Sequence, residues 1–251
     1  MKRAFIAACA IVALAGCATT ISPSGSAAAA AALADPARPA ADVARDAARK
    51  PAEILAFAEV EPGDTVADFI MGGGYFTRLL AKLVGPSGRV YAYQPSEFIQ
   101  FQAKYGEDQR TVAAAYPNVT PLSQSIQQLS FPEPLDAVIT VQNYHDLHLA
   151  QSPPGTAGRV ATALYQALKP GGALVVIDHA AAAGSGTRDA AKLHRIDPAA
   201  VRVELEAAGF RFEAESDILR SSADPHTASV FDPSIRGNTD QFIYRFRNPR
   251  R

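Results

Sequence analysis

Short blocks of β-branched and apolar residues alternate along this chain with longer stretches whose apolar positions recur at helical spacing. The blocks at residues 65–69, 89–93, 118–123, 135–141 and 173–178 each predict a strand. Between them, residues 75–83 carry Phe76, Leu79, Leu80 and Leu83 on one helical face, residues 95–115 are mostly helical in pattern, and residues 155–168 predict a helix stopped by Lys169-Pro170-Gly171-Gly172. Asp197-Pro198 supplies the N-cap acid and first-position proline of a further helix, which Gly209 ends. Residues 210–219 and 240–246 predict two last strands joined by a long loop, and residues 42–60 are helical, with Ile54, Leu55 and Phe57 following Pro51. Strands alternating with helices imply an α/β fold with a doubly wound, mostly parallel sheet. The nearly continuous apolar runs at 135–141 and 173–178 fit parallel strands buried on both faces.

With 251 residues, 48% of them hydrophobic, the chain can bury one sizeable core. The formal charge of −1, without a basic block or aromatics interleaved with Lys and Arg, disfavours nucleic acid as a partner. Arg245, Arg247, Arg250 and Arg251 read as a solvated tail or a contact for anionic lipid. At the other end, Lys2 and Arg3 precede an apolar run, residues 4–15, that is short for a membrane span and reads as an export signal. It closes on Leu14-Ala15-Gly16-Cys17, which resembles the lipobox of bacterial lipoproteins, cut before the cysteine and acylated on its thiol. The expected organisation is a signal peptide at 1–16, a flexible tether at 17–41 and a folded domain at 42–251 with an N-terminal helical extension. Ala18 after the cysteine points to the outer membrane, facing the periplasm. Cleavage would also remove Cys9, so the mature chain would hold no internal disulfide.

The chemistry concentrates in segments that follow strands. Gly72-Gly73-Gly74 lies between the first strand and its helix, where positive φ and exposed N–H groups suit an anionic or nucleotide-like ligand. All five histidines, His145, His148, His179, His194 and His226, also follow strands, and helical crossovers place such segments on one common edge of the sheet. Asp146, Asp178, Asp189, Asp197 and Asp224 accompany them and permit His-Asp pairs that orient an imidazole as a general base. No spacing of these residues matches a zinc signature, and no metal ligands are assigned. As a loop residue, His145 is expected to matter little for stability.

Asp68 and Gly72-Gly73-Gly74, Gly85-Pro86-Ser87-Gly88-Arg89-Val90-Tyr91-Ala92, Leu135-Asp136-Ala137-Val138 and Leu168-Lys169-Pro170-Gly171-Gly172 together resemble class I S-adenosylmethionine-dependent methyltransferases. Asn143-Tyr144-His145-Asp146-Leu147-His148, Asp178-His179-Ala180, Leu193-His194-Arg195-Ile196-Asp197 and Phe231-Asp232-Pro233 are similar to a bacterial group of predicted methyltransferases, many of them exported. The resemblance implies a Rossmann-like fold of seven strands with the last antiparallel, and S-adenosylmethionine as cofactor. It implies a cofactor site at Asp68, Gly72, Gly73, Gly74, Gln94, Ser125 and Asn143, with Ile70 in place of the first motif glycine, Gln94 in place of the acid that meets the ribose, and Ser125 near the adenine amine. His145, Asp146 and His194 are then the candidates for base and positioning residues, and Tyr144, His148, His179 and His226 line a small-molecule acceptor. The alternative is a small ligand or metal bound by the His and Asp edge in place of the cofactor chemistry.

Overall fold

The computed structural model of the chain describes residues 22–250, so the expected signal segment, Cys17 and Arg251 lie outside the described residues. At its centre is a seven-stranded sheet: β1 (Thr65–Phe69), β2 (Arg89–Tyr93), β3 (Val119–Leu122), β4 (Leu135–Val141), β5 (Leu168–His179), β6 (Arg211–Ser216) and β7 (Gln241–Arg247). The order across the sheet is β3-β2-β1-β4-β5-β7-β6. β1 to β5 pair in parallel, while β7 inserts between β5 and β6 and runs antiparallel to both. The expected doubly wound, mostly parallel sheet with an antiparallel last strand is therefore present. The order reverses between β1 and β4, and at such a switch point the loops leaving two adjacent strands part to open a crevice.

Alternate residues of each central strand feed two cores. Val66, Ala137, Ile139, Val175 and Ile177 face one side, packing with α4 (Pro51–Ala58) and α5 (Tyr75–Val84) through Leu55, Leu79 and Leu83. Ala67, Phe69, Val138, Leu174 and Val176 face the other, against α8 (Thr156–Ala167) and, after the short α9 (Ala190–Leu193), α10 (Pro198–Ala207), through Leu164 and Leu205. The alternation follows from the two-residue period of a strand, and burial on both faces explains the unbroken apolar runs.

Four expectations change. Residues 23–33 of the expected tether are helix α1 (Pro23–Leu33), capped by Ser22, whose Oγ accepts the Gly25 N–H at 3.0 Å. Alanine has the highest helix propensity, and its small side chain lets α1 lie close on the α5 side, burying Ala29 and Ala32. The helical pattern at 42–60 breaks into α2 (Ala40–Val43), α3 (Asp46–Arg49) and α4. Residues 95–115 likewise form two helices, α6 (Ser96–Phe101) and α7 (Lys104–Ala115), because Gln102 turns extended at φ −146°. Arg245 and Arg247 are not part of a solvated tail: buried Arg245 pairs with Glu59 and Glu213, and Arg247 pairs with the same two acids, while the exposed Arg250 stacks on Tyr165. No helix among the described residues is long and apolar enough to cross a membrane.

Candidate active site

The turn between β1 and α5 is built from three left-handed residues, Ile70 (φ 63°), Gly72 (φ 55°) and Gly74 (φ 81°). Glycine adopts this conformation without steric cost, but a β-branched residue does not, and Ile70 carries about 1–2 kcal/mol of strain there. The turn is pinned from both flanking strands. Met71 N–H donates to the Tyr93 carbonyl at 3.0 Å, and Asn143 Nδ2 donates to the Ile70 carbonyl at 2.9 Å. At the base of the loop Asp68 is buried and accepts a 2.6 Å hydrogen bond from the Thr77 hydroxyl. Burial pushes its carboxyl up to about 6, against the pull of Thr77 and the Arg49 charge. Arg45 and Arg49 stack over the Tyr75 ring at 5.0 and 4.8 Å and, with Asp68, Gly72 and Gly73, line a pocket of about 170 Å³. Arg49 also donates to Gln142 Oε1 at 2.9 Å.

Gln142 and Asn143 form a wall shared with a second, larger cavity of about 970 Å³, which runs between the ends of β2, β4 and β5. Its apolar lining includes Phe98, Phe101, Leu149, Val230 and Phe231. Its polar lining includes a cluster of two imidazoles and a carboxylate. His145 Nδ1 donates to Asp178 Oδ1 at 2.8 Å, and the His145 backbone N–H donates to Asp178 Oδ2 at 2.8 Å, so the fully buried acid at the end of β5 grips His145 twice. His145 Nε2 then lies 3.2 Å from His194 Nδ1 and 3.3 Å from Asp146 Oδ1. Burial alone would lower the His145 pKa, but the charge and hydrogen bond of Asp178 outweigh it and raise the pKa. Asp178 is held below its usual range, the His145 partnership overcoming its burial. Burial lifts Asp146 to about 6, whereas His194 is lowered by burial and by the neighbouring His145 charge. His194 reaches the cluster from a left-handed backbone (φ 54°), with Phe231 edge-on against its ring at 4.8 Å.

Of the expected base and positioning residues, His145, Asp146 and His194 converge although 49 positions separate the two histidines. His179 lines the same cavity, and burial lowers its pKa to about 4, which keeps it neutral. The other three acceptor candidates lie elsewhere. Tyr144 is buried in the α8/α10 core with its hydroxyl on Glu204, His148 pairs with Glu204 at 3.1 Å, and His226 pairs with Asp240 at 2.9 Å. Their loops belong to the right edge, but these rings turn toward helix and sheet acids instead of the cavity. His145 is itself buried against an ionised partner and is no dispensable loop residue.

In the cofactor set, Asp68, Gly72, Gly73 and Asn143 line the small pocket. Gly74 is the last residue before α5, and an added Cβ there would come within 2.6 Å of Val112. Gln94 is fully buried, accepts the Gly72 N–H on Oε1 at 3.0 Å, and leaves its Nε2 without a partner. Ser125 donates to Glu97 at 2.5 Å, and the same carboxylate takes the Ile126 N–H at 3.2 Å. Glu97, Phe231, Arg45 and Arg49 were absent from the sequence-derived set. Glu97 follows the expected ribose position by three residues, a usable signal, whereas Arg45 and Arg49 sit on short helices outside the strand-loop pattern.

No family model matches the sequence. Among solved structures, the fold is similar to an S-adenosylmethionine-dependent methyltransferase from Aquifex aeolicus (TM-score 0.51, 19% identity, covering 78% of this chain and 87% of that one). It is similar to the N-methyltransferase NodS from Bradyrhizobium japonicum (TM-score 0.56, 14% identity, 82% and 97% covered). A third likeness is to an O-methyltransferase from Thermotoga maritima (TM-score 0.51, 19% identity, 81% and 66% covered). The chain thus has the α/β, Rossmann-like fold of class I S-adenosylmethionine-dependent methyltransferases.

Proposed function

We propose that the protein is an S-adenosylmethionine-dependent methyltransferase acting on a small, largely apolar acceptor. The observation that carries this reading is the pair of adjacent cavities at the switch point, one walled by the glycine loop and two arginines, the other by the His145 cluster and several apolar side chains. The residues fit the cofactor at its methionine end. Arg45 and Arg49 supply charge for a carboxylate, and Asp68 supplies it for an ammonium group, beside the Gly72 and Gly73 backbone. At the ribose position, the unpartnered Gln94 Nε2 is a buried donor that a hydroxyl oxygen would satisfy. Near the adenine position, Glu97 now holds Ser125 and the Ile126 N–H, and its carboxylate would have to share or release them.

When bound, the cofactor supplies an activated methyl group on a sulfonium. The protein's part is to hold the acceptor in line and to take its proton. Phe101 and Phe231, exposed at the cavity, offer apolar contact to the body of the acceptor. His145, fixed by Asp178, presents Nε2 to the cavity, and His194 Nδ1 at 3.2 Å allows a proton to be shared within the cluster. Calorimetric titration with S-adenosylmethionine tests the reading: heat with one-to-one stoichiometry is expected, and no heat at ligand concentrations about tenfold above a 1 mM dissociation constant would remove it. The chain is further proposed to be an exported lipoprotein anchored through Cys17 in the outer membrane, a reading supported by Leu14-Ala15-Gly16-Cys17 after the apolar run. Mass spectrometry of the membrane fraction should find an acylated N-terminal Cys17, and an uncleaved Met1 would overturn it.

A further inference from the structure

We infer that His145, Asp146 and His194 form a binding site for a first-row divalent cation, Zn²⁺ foremost, with an open coordination position facing the acceptor cavity. His145 Nε2, His194 Nδ1 and Asp146 Oδ1 are separated by 3.2, 3.3 and 3.9 Å. Donors held about 2.0–2.2 Å from a zinc ion in a tetrahedral arrangement lie about 3.4 Å from one another, so the spacing of the three atoms is close to that of a tetrahedral ligand set. Among the described residues, this is the group of His, Cys, Asp and Glu side chains whose ligand atoms gather this closely.

Three further features belong to a ligand set more than to a solvated polar cluster. Asp178 accepts a hydrogen bond from the His145 Nδ1–H at 2.8 Å, which fixes the tautomer and leaves the Nε2 lone pair on the side of His194 Nδ1, with Asp146 Oδ1 3.3 Å away. This is the carboxylate-histidine support that metal-binding imidazoles use. Two imidazole nitrogens at 3.2 Å cannot face each other with two lone pairs, so a proton or a cation must lie between them. His194 is placed there by a left-handed backbone, a strain that persists where the surrounding structure needs the side chain in one position. The three donors line the large cavity, which leaves the fourth position to a water or to an acceptor atom. Two imidazoles and a carboxylate with an open position is a donor set that suits zinc and its first-row neighbours. A cation there would hold an oxygen, nitrogen or sulfur of the acceptor and lower its pKa, so that the proton passes to solvent water without a free Nε2 to accept it.

Metal uptake is independent of methyl transfer, and the two are separable by experiment. The full chain, purified without a polyhistidine tag and stripped with a chelator, is titrated with ZnCl₂ and separately with CoCl₂. One equivalent of Zn²⁺ per chain is expected, together with visible Co²⁺ bands that Zn²⁺ abolishes. His194→Asn should lose at least about tenfold in affinity while its metal-free melting temperature holds, since asparagine tolerates the left-handed backbone. His226→Asn, off the cavity on Asp240, should bind the metal as the parent does. Failure to take up a stoichiometric ion, or a His194→Asn variant that binds zinc as tightly as the parent, would overturn the site. In a parallel S-adenosylmethionine titration, heat without metal uptake removes the cation alone, and metal uptake without heat removes methyl transfer alone.

Discussion

Replacing Asp68 by asparagine isolates the cost of keeping a carboxylate beneath the glycine loop. The side chain is buried, and its folded-state pKa of about 6 stands against an ordinary value of 3.8. The native state therefore binds the proton more tightly than the unfolded state. Below pH 3.8 both forms are protonated and Asp68 does not oppose folding; between 3.8 and about 6 the unfolded chain releases the proton first, and stability falls as pH rises. Above about 6 the loss is complete and amounts to about 3 kcal/mol at 1.36 kcal/mol per pH unit. Asparagine keeps an oxygen for the Thr77 hydroxyl and has no proton to lose. Urea unfolding of parent and Asp68→Asn across this pH range should show the parent losing about 3 kcal/mol relative to the variant, with the decline centred between the two pKa values. A difference that does not change with pH would refute the reasoning and mean that Arg49 or water already neutralises the buried charge.

Other substitutions test the packing. His145→Ala leaves the buried Asp178 carboxylate without its partner and should cost about 3–5 kcal/mol, read as a lower urea midpoint; an unaltered midpoint would return His145 to the role of a simple loop residue. Arg195 is fully buried, pairs with Asp224 at 2.8 Å and donates to the Ala180 and Ala228 carbonyls, so Arg195→Ala should cost a similar 3–5 kcal/mol, measured the same way. Gly88→Ala would bring a Cβ within 2.5 Å of Val84 and 2.7 Å of the Asp64 carbonyl, a clash worth about 1–3 kcal/mol in thermal unfolding. Ser22→Ala removes the N-cap of α1 and should cost about 1 kcal/mol, with faster amide exchange confined to α1 if that helix opens locally.

Local pattern carried the strands and most helices because strand and helix periods are written within a few neighbouring residues. The bounds of β1, β2 and β4 match the blocks at 65–69, 89–93 and 135–141, and the Asp197-Pro198 start of α10 holds, with Asp197 accepting the Ala199 N–H at 2.9 Å. Alternation of strands and helices was enough to place the histidine loops on one edge of the sheet, and the glycine loop on that edge too. The sequence could not say which rings turn inward. His145 and His194 meet because β4 and β5 are neighbours in the sheet and Asp178, at the end of β5, fixes the His145 ring; His148 and His226 find nearer acids and turn away. Nor does an Ala-rich segment announce its contacts: α1 docks because small side chains let two helices approach, a property of the surface it meets. Arg245 reads as one of a row of C-terminal charges, yet the antiparallel insertion of β7 buries it between Glu59 and Glu213. Secondary structure is specified by neighbours in sequence, whereas the site is specified by pairs of side chains distant in sequence, whose approach depends on strand order and on the acids that compete for each ring.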